Sequence, residues 1–387
     1  MSAPAQSSVP HLSALDGLRG VAALGVAVAH VWRFVRGDGA APDGRLLNGL
    51  IGEGRIGMPL FFVLSGYLIF RPFAAAALDG RAQPRLWPYA LRRGARIIPA
   101  YWLVILLALL ALSVLAHPAA RPVTDLPAFL LFLQNYSPGT HGAIDAPTWS
   151  VTIEVSFYVV VPLLGLLAAT TAGRLRSAVA RRRVLGAACL VLMVVGSYLI
   201  GQGTLHGWDP TVTDTLPVRM GSFAAGMLVA VLAHDRRIPT GRATAMAAVG
   251  LVLIVGEVAA RIYELGPASA RELLIDTPIT IGFALIIGAI ATGRPTGAVV
   301  MERGPLFRLG APSYGLYLVH YPVIQVLRSL DAFPKDPLLA VVVVIGISIA
   351  LAVVSWRFVE SPVIDWAHRR MPSRRVPRPA IARASGD

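Results

Sequence analysis

Apolar residues in this chain gather in runs of about twenty, and the polar residues between them fall in short blocks. About 20 mostly apolar residues cross a bilayer as a helix. The runs therefore predict ten spans: Leu12–Phe34, Ile56–Leu78, Ile97–Ala116, Thr148–Thr171, Val184–Gly201, Leu216–His234, Arg242–Arg261, Leu274–Thr292, Leu306–Arg328 and Leu338–Val359. Leu126–Leu133 is apolar but too short to span, and fits a re-entrant or interfacial piece. The predicted fold class is all-α, a polytopic transmembrane helix bundle of about ten spans. A short polar tail occupies 1–11, the membrane domain 12–362 and a basic disordered cytoplasmic tail 363–387.

Composition agrees. Charged residues are 14% of 387 and apolar types 55%, against roughly 25% charged in soluble domains. The single cysteine, Cys189, excludes an intramolecular disulfide and any cysteine metal cluster. The formal charge of +14 does not point to nucleic acid, because the arginines recur in short blocks between apolar runs and form no basic domain. No basic n-region or cleavage site accompanies the first run, so that helix is expected to be retained.

The arginine blocks set the expected orientation. Even-numbered loops carry groups such as Arg81, Arg85, Arg92, Arg93 and Arg96, or Arg174, Arg176, Arg181, Arg182 and Arg183. The third loop has only Arg121, and the ninth only Lys335. The first loop, with Arg36, Arg45 and Arg55, fits less well. Both termini are accordingly expected in the cytoplasm.

Ionisable and hydroxyl residues inside spans are costly and usually face the bundle interior. Arg19 and His30 are eleven residues apart in the first span, which places them on one helical face and ~16 Å apart along the axis. Ser150, Glu154, Phe157 and Tyr158 share a face of the fourth span. Glu154 falls at a depth similar to His30 and is expected to be its partner. Ser313, Tyr317 and His320 line one face of the ninth span, with Tyr314 and Tyr321 nearby. Arg92, Arg93 and Arg96 lead into the third span, where guanidinium forks suit phosphates or lipid headgroups alike. Arg219 is a further charge early in the sixth span, and Arg357 with Glu360 at the end of the tenth is expected to pair locally.

The ordered set LDGLRG with His30, PLFFVLSGYLIF at Pro59–Phe70, RRGARIIPAYW at Arg92–Trp102, QNY at Gln134–Tyr136, WSVTIEVSFY at Trp149–Tyr158, FAAGMLVA at Phe223–Ala230, SYGLYLVHYP at Ser313–Pro322 and WRFVESP at Trp356–Pro362 resembles the acyltransferase-3 family. These are integral-membrane O-acyltransferases of bacterial sugars and natural products. The resemblance covers nearly the whole chain. It implies a ten-helix core in the bacterial cytoplasmic membrane that moves an acyl group from cytosolic acyl-CoA, acetyl-CoA in the leading case, to an acceptor hydroxyl. It also implies that His30 is the essential histidine, Arg19 its basic partner, Arg93 and Arg96 the RxxR pair and Glu154 the inward glutamate. One departure is Met58-Pro59, where many members carry Val-Asp.

In the mechanism this implies, Arg92, Arg93 and Arg96 hold the CoA phosphates and no metal takes part. His30 removes the acceptor proton as general base, and Glu154 steadies the imidazolium. Ser150, Ser313, Tyr317 and His320 are candidates for donating to the oxyanion. The expected partners are acyl-CoA, a carbohydrate or glycosylated acceptor and the lipid bilayer, with no nucleic acid. The leading acceptor is a surface or cell-wall polysaccharide, and a macrolide or other glycosylated metabolite is the alternative. From a different class, a membrane transporter of a sugar or lipid-linked substrate would also place Arg, Glu and His within spans.

Overall fold

The computed structural model describes residues 13–36 and 45–370, and among these every regular element is helical. Ten principal helices carry the fold. They are α1 (Ser13–Arg36), α2 (Gly57–Asp79), α3 (Leu86–Val114), α4 (Trp149–Gly173), α5 (Ala178–Leu205), α6 (Leu216–Leu232), α7 (Thr240–Ile262), α8 (Thr277–Thr292), α9 (Ser313–Ser329) and α10 (Pro337–Ser355). Each falls on one of the ten apolar runs.

Eight helical stretches among the described residues are long and apolar enough to cross a membrane. The other two principal helices, α8 with 16 residues and α9 with 17, rise only ~25 Å, short of the ~30 Å hydrocarbon core. Of the ten expected spans, eight therefore have spanning length among the described residues, and two are shorter helices. The ninth run is broken because Pro312 cannot continue a helix through its missing N–H. Pro305–Gly310 forms a separate short helix, and α9 restarts at Ser313.

Three other boundaries differ. The third helix begins at Leu86, eleven residues before the predicted Ile97, so Arg92, Arg93 and Arg96 are helical. After α10 the chain makes a π-helical turn at Trp356–Glu360 and then a helix at Ser361–Arg370. Residues 363–370 are therefore not part of a disordered tail. The rest of that tail, 371–387, and the N-terminal tail lie outside the described residues, as do the expected positions of the termini. The π turn also separates Arg357 from Glu360. Arg357 is exposed, whereas Glu360 is buried and its Oε1 accepts from Ser355 Oγ at 3.2 Å. The expected local pair does not form.

Burial separates central from peripheral helices. The apolar windows of α1, Leu46–Asp79 and Pro210–Leu232 are 61–67% buried, while those of α5 and α7 are 28% and 22% buried. Hence α1, α2 and α6 form the centre, and α5 and α7 present their apolar surfaces to lipid. Lipid tails are as apolar as leucine, so helices associate in a bilayer through close van der Waals contact at small residues. The α2–α6 crossing meets that requirement. A Cβ on Gly66 would stand 2.0 Å from the Phe223 carbonyl oxygen, and one on Gly226 2.0 Å from that of Val63. Around this crossing Phe62 stacks on Phe223 at 4.7 Å and Phe223 on Phe157 at 4.2 Å. This rigid aromatic spine holds α2, α4 and α6 in register beside α1.

Candidate active site

Between α1, α2, α3, α4 and α9 lies a cavity whose lining includes Arg19, Ser65, Arg93, Arg96, Ser150, Glu154, Tyr158, Ser313, Tyr314 and Tyr317. Seven of the ten residues chosen from the sequence therefore face one space. Its lining holds three guanidinium groups against one carboxylate, a balance that favours an anion.

Each charge is held by a specific neighbour. Arg19 Nη1 bonds Asp16 Oδ1 at 3.1 Å, one turn back on α1. Arg93 lies over the Tyr158 ring at 5.6 Å, and Arg96 over the Trp356 ring at 5.3 Å. The two arginines are three residues apart on α3 and point the same way, while Arg92 is rotated ~100° away. Arg92 accordingly does not line the cavity, and only two of the three predicted phosphate ligands face it.

Glu154 does not meet His30. Its Oε1 accepts from Ser65 Oγ and from Tyr158 Oη, each at 2.7 Å. The expected Glu154–His30 pair is corrected: Glu154 belongs to the arginine cavity, and a second histidine occupies the place beside His30. Tyr158, four residues on along α4, was visible as a same-face neighbour. Ser65 was missed, and its only signal is a hydroxyl inside the apolar run PLFFVLSGYLIF.

The imidazole pair has a definite proton arrangement. His320 Nδ1 lies 2.6 Å from the Tyr317 carbonyl oxygen, which can only accept, so His320 carries its proton on Nδ1. Its Nε2 is therefore a lone pair, and His30 Nδ1 lies 2.9 Å from it. His30 thus donates through Nδ1–H and keeps Nε2 unprotonated. The rings are nearly parallel, with an interplanar angle of 8°, and Tyr321 packs edge-on to His30 at 5.8 Å. His320 is fully buried. A chain of two bonds fixes one tautomer and aims one basic nitrogen of His30 away from its partner.

Tyr317 joins the two halves of the site. Its side chain lines the arginine cavity, and its carbonyl anchors His320. Its hydroxyl makes a short contact with the Pro147 carbonyl and lies 2.8 Å from Ser150 Oγ, itself 3.2 Å from the same carbonyl. Since a carbonyl only accepts, both hydroxyl hydrogens stay within this trio. Ser313 Oγ donates to the Gly310 carbonyl at 2.9 Å, closing the break before α9. All four residues considered for an oxyanion have their hydrogens committed inside the chain.

A second cavity adjoins the first. It shares Met58 and Phe62 with it and is otherwise lined by Arg55, Trp149, Arg219, Asp276, Thr280 and others. Arg219 bonds Asp214 at 2.8 Å and lies over the Trp149 ring at 5.0 Å. Asp276 bonds Arg261 at 2.7 Å. The charges of this cavity are already partnered within the protein.

Fold and site define a polytopic membrane protein with an arginine-lined cavity beside two stacked imidazoles, His320 buried and His30 half-buried. The chain belongs to the family described as an acyltransferase domain, whose model matches residues 12–357. It is 26% identical over 380 residues to the O-acetyltransferase OatA of Staphylococcus aureus, covering 91% of this chain and 57% of that protein. It is 25% identical over 388 residues to the "Putative peptidoglycan O-acetyltransferase YrhL" of Bacillus subtilis, covering 95% and 57%. A relative of more similar length, the "Putative membrane-bound transacylase BcsY" of Komagataeibacter xylinus, is 26% identical over 368 residues, covering 92% and 83%. The chain thus spans just over half the length of the first two relatives. No solved structure matches it. With its eight apolar helices and bacterial relatives, it is a multi-pass bacterial membrane protein.

Proposed function

We propose that this protein transfers an acyl group, acetyl in the leading case, from acyl-CoA to a hydroxyl of a cell-wall or surface glycan. The observation that carries the proposal is the Nε2 of His30, left unprotonated because His320 and the Tyr317 carbonyl fix one tautomer, with the side chain of the same Tyr317 lining the arginine cavity. The relatives named as O-acetyltransferases and as a transacylase support the same reaction.

Arg93 and Arg96, with Arg19 behind them, would hold the donor phosphates at one end of the cavity. The thioester then extends toward Tyr317. An acceptor hydroxyl gives its proton to His30 Nε2 while its oxygen attacks the thioester carbonyl. The charge left on the imidazole is shared through the Nδ1–H bond to His320. When the C–S bond breaks, the proton passes from His30 to the departing thiolate, leaving an ester and free CoA. General-base help of this kind contributes roughly 10²–10⁴-fold. Glu154 would tie Tyr158 and Ser65 to the arginine cluster and keep its charge in balance.

The test is mass spectrometry of glycans from one host strain carrying the wild-type chain, His30→Ala or an empty vector, with isotope-labelled acetate supplied. Labelled ester only with the wild type supports the proposal. Equal ester in the His30→Ala strain at matched protein abundance would overturn it. A transporter would instead move substrate with no thioester consumed, and acyl-CoA turnover in purified membranes separates the two classes.

A further inference from the structure

Depth along the helices orders the donor cavity from end to end. On α2, Met58 and Ile69 both line it and stand eleven residues, ~16 Å, apart. Arg93, which lies over the Tyr158 ring, marks the inner end with Ile69, while Ser150 and Tyr317, whose ring meets Phe61 at 6.1 Å, mark the other with Met58. Gly57 packs against Ala22 and Val26 of α1, eight and four residues before His30, so Met58 lies ~9 Å inward of His30 along the axis. The helices run antiparallel and each side chain leans toward its own helix N-terminus, so the two lean toward each other. A thioester placed for attack beside His30 therefore has its acyl group pointing at Met58, Phe61 and Phe62.

Beyond Met58 and Phe62 the protein is not solid, because these two side chains also line the second cavity. The partition is one side chain thick. Phe62 is immobilised: it is 4% exposed, stacks on Phe223 at 4.7 Å and meets Trp149 edge-on at 6.2 Å. Met58 is only partly buried and has an unbranched, adaptable side chain. Past them lie the ion pairs of Arg219 and Asp276, which give a hydrocarbon chain little to gain.

We propose that Met58 and Phe62 form the end wall that limits the donor acyl group to a short chain, with Met58 the element that sets the limit. This rests on the acyl transfer proposed above and adds the specificity of the same site. The wall explains how a cavity in an apolar bundle can exclude long acyl donors: the obstruction is local, and removing it joins two existing spaces.

The experiment supplies equimolar acetyl-CoA and hexanoyl-CoA to permeabilised cells of a host in which the wild-type chain forms glycan esters, and reads the acetyl-to-hexanoyl ester ratio by mass spectrometry. The wild type is expected to form acetyl ester in at least hundredfold excess. Met58→Ala is expected to lower that ratio at least tenfold, and Met58→Leu, of similar volume, to keep it. Met58→Phe, which thickens the wall, is expected to lower propionyl transfer relative to acetyl, so the proposal remains testable if the alanine variant fails to accumulate. Comparable acetyl and hexanoyl esters from the wild type would overturn the wall and leave the transferase function standing. An unchanged ratio in Met58→Ala would do the same.

Discussion

Replacing His320 with leucine tests the proton arrangement at the heart of the site. The side chain is fully buried, so leucine fills much the same space while removing the acceptor for His30 Nδ1–H. In the resting enzyme that bond joins two neutral rings. In the proposed transfer His30 becomes a cation in the transition state, and the bond becomes charge-assisted. Hydrogen bonds to charged groups contribute about 1.5–3 kcal/mol, and each 1.36 kcal/mol is tenfold in rate. The neutral bond of the resting state, worth about 0.5–1.5 kcal/mol, is lost as well, so the difference is about 1–1.5 kcal/mol and the expected loss in kcat about 5- to 13-fold, with donor KM little changed because the arginines are untouched. His320→Gln, whose amide oxygen can accept from Nδ1–H, is expected to recover part of that loss. The assay is initial-rate ester formation from labelled acetyl-CoA at matched folded protein. A leucine variant within threefold of the wild type, or a glutamine variant no better than leucine, would refute the tautomer argument.

Arg96→Lys keeps the charge but loses the planar fork and the stacking on Trp356 at 5.3 Å; donor KM should rise about tenfold with kcat nearly constant, measured by acetyl-CoA titration. Gly66→Ala drives a Cβ into the Phe223 carbonyl, which would lie 2.0 Å away. Overpacking of this kind costs about 3 kcal/mol, and it should reduce the monodisperse fraction after mild heating in detergent. Gly256→Ala, with nothing within 4 Å, should not. Asp145, in the loop before α4, is fully buried with neither carboxylate oxygen hydrogen-bonded to the protein, and burial holds its pKa well above the usual carboxylate range. A raised folded-state pKa means that the native state retains a proton the unfolded chain releases, so stability falls as pH climbs from ~4 toward neutrality. Asp145→Asn should remove that fall and unfold at a higher temperature than the wild type at pH 7 in a thermal-shift series. Equal pH slopes for the two proteins would count against it.

The sequence made the helices legible because an apolar run of bilayer length has few other uses, and all ten principal helices lie on the predicted runs. Boundaries were less readable where local backbone chemistry decided them. Pro312 divides one run into two helices, and a π turn at Trp356–Glu360 rotates Arg357 outward and Glu360 inward. Periodicity also picked out stripes that converge in part. Arg19 and Glu154 from two of them, and Ser150, Ser313 and Tyr317 with them, line one cavity.

Pairing across helices was the part that sequence did not contain. His30 and His320 are 290 positions apart, and depth alone offered Glu154 just as readily. What decided between them is which face of α9 turns toward α1, and that is set by how α9 packs against α1, α3 and α10, not by any local pattern. The consequence reaches the chemistry. A carboxylate beside His30 would have stabilised an imidazolium and raised its basicity outright. A second neutral imidazole does less of that, but it fixes which nitrogen carries the proton and spreads the charge over two rings when it forms. The carboxylate serves the arginine end instead, where Ser65 and Tyr158 hold it among three cations. Tyr317 spans the distance between the arginine cavity, which its side chain lines, and the imidazole pair, which its carbonyl anchors, so the proposed transfer would run from one to the other across a single residue.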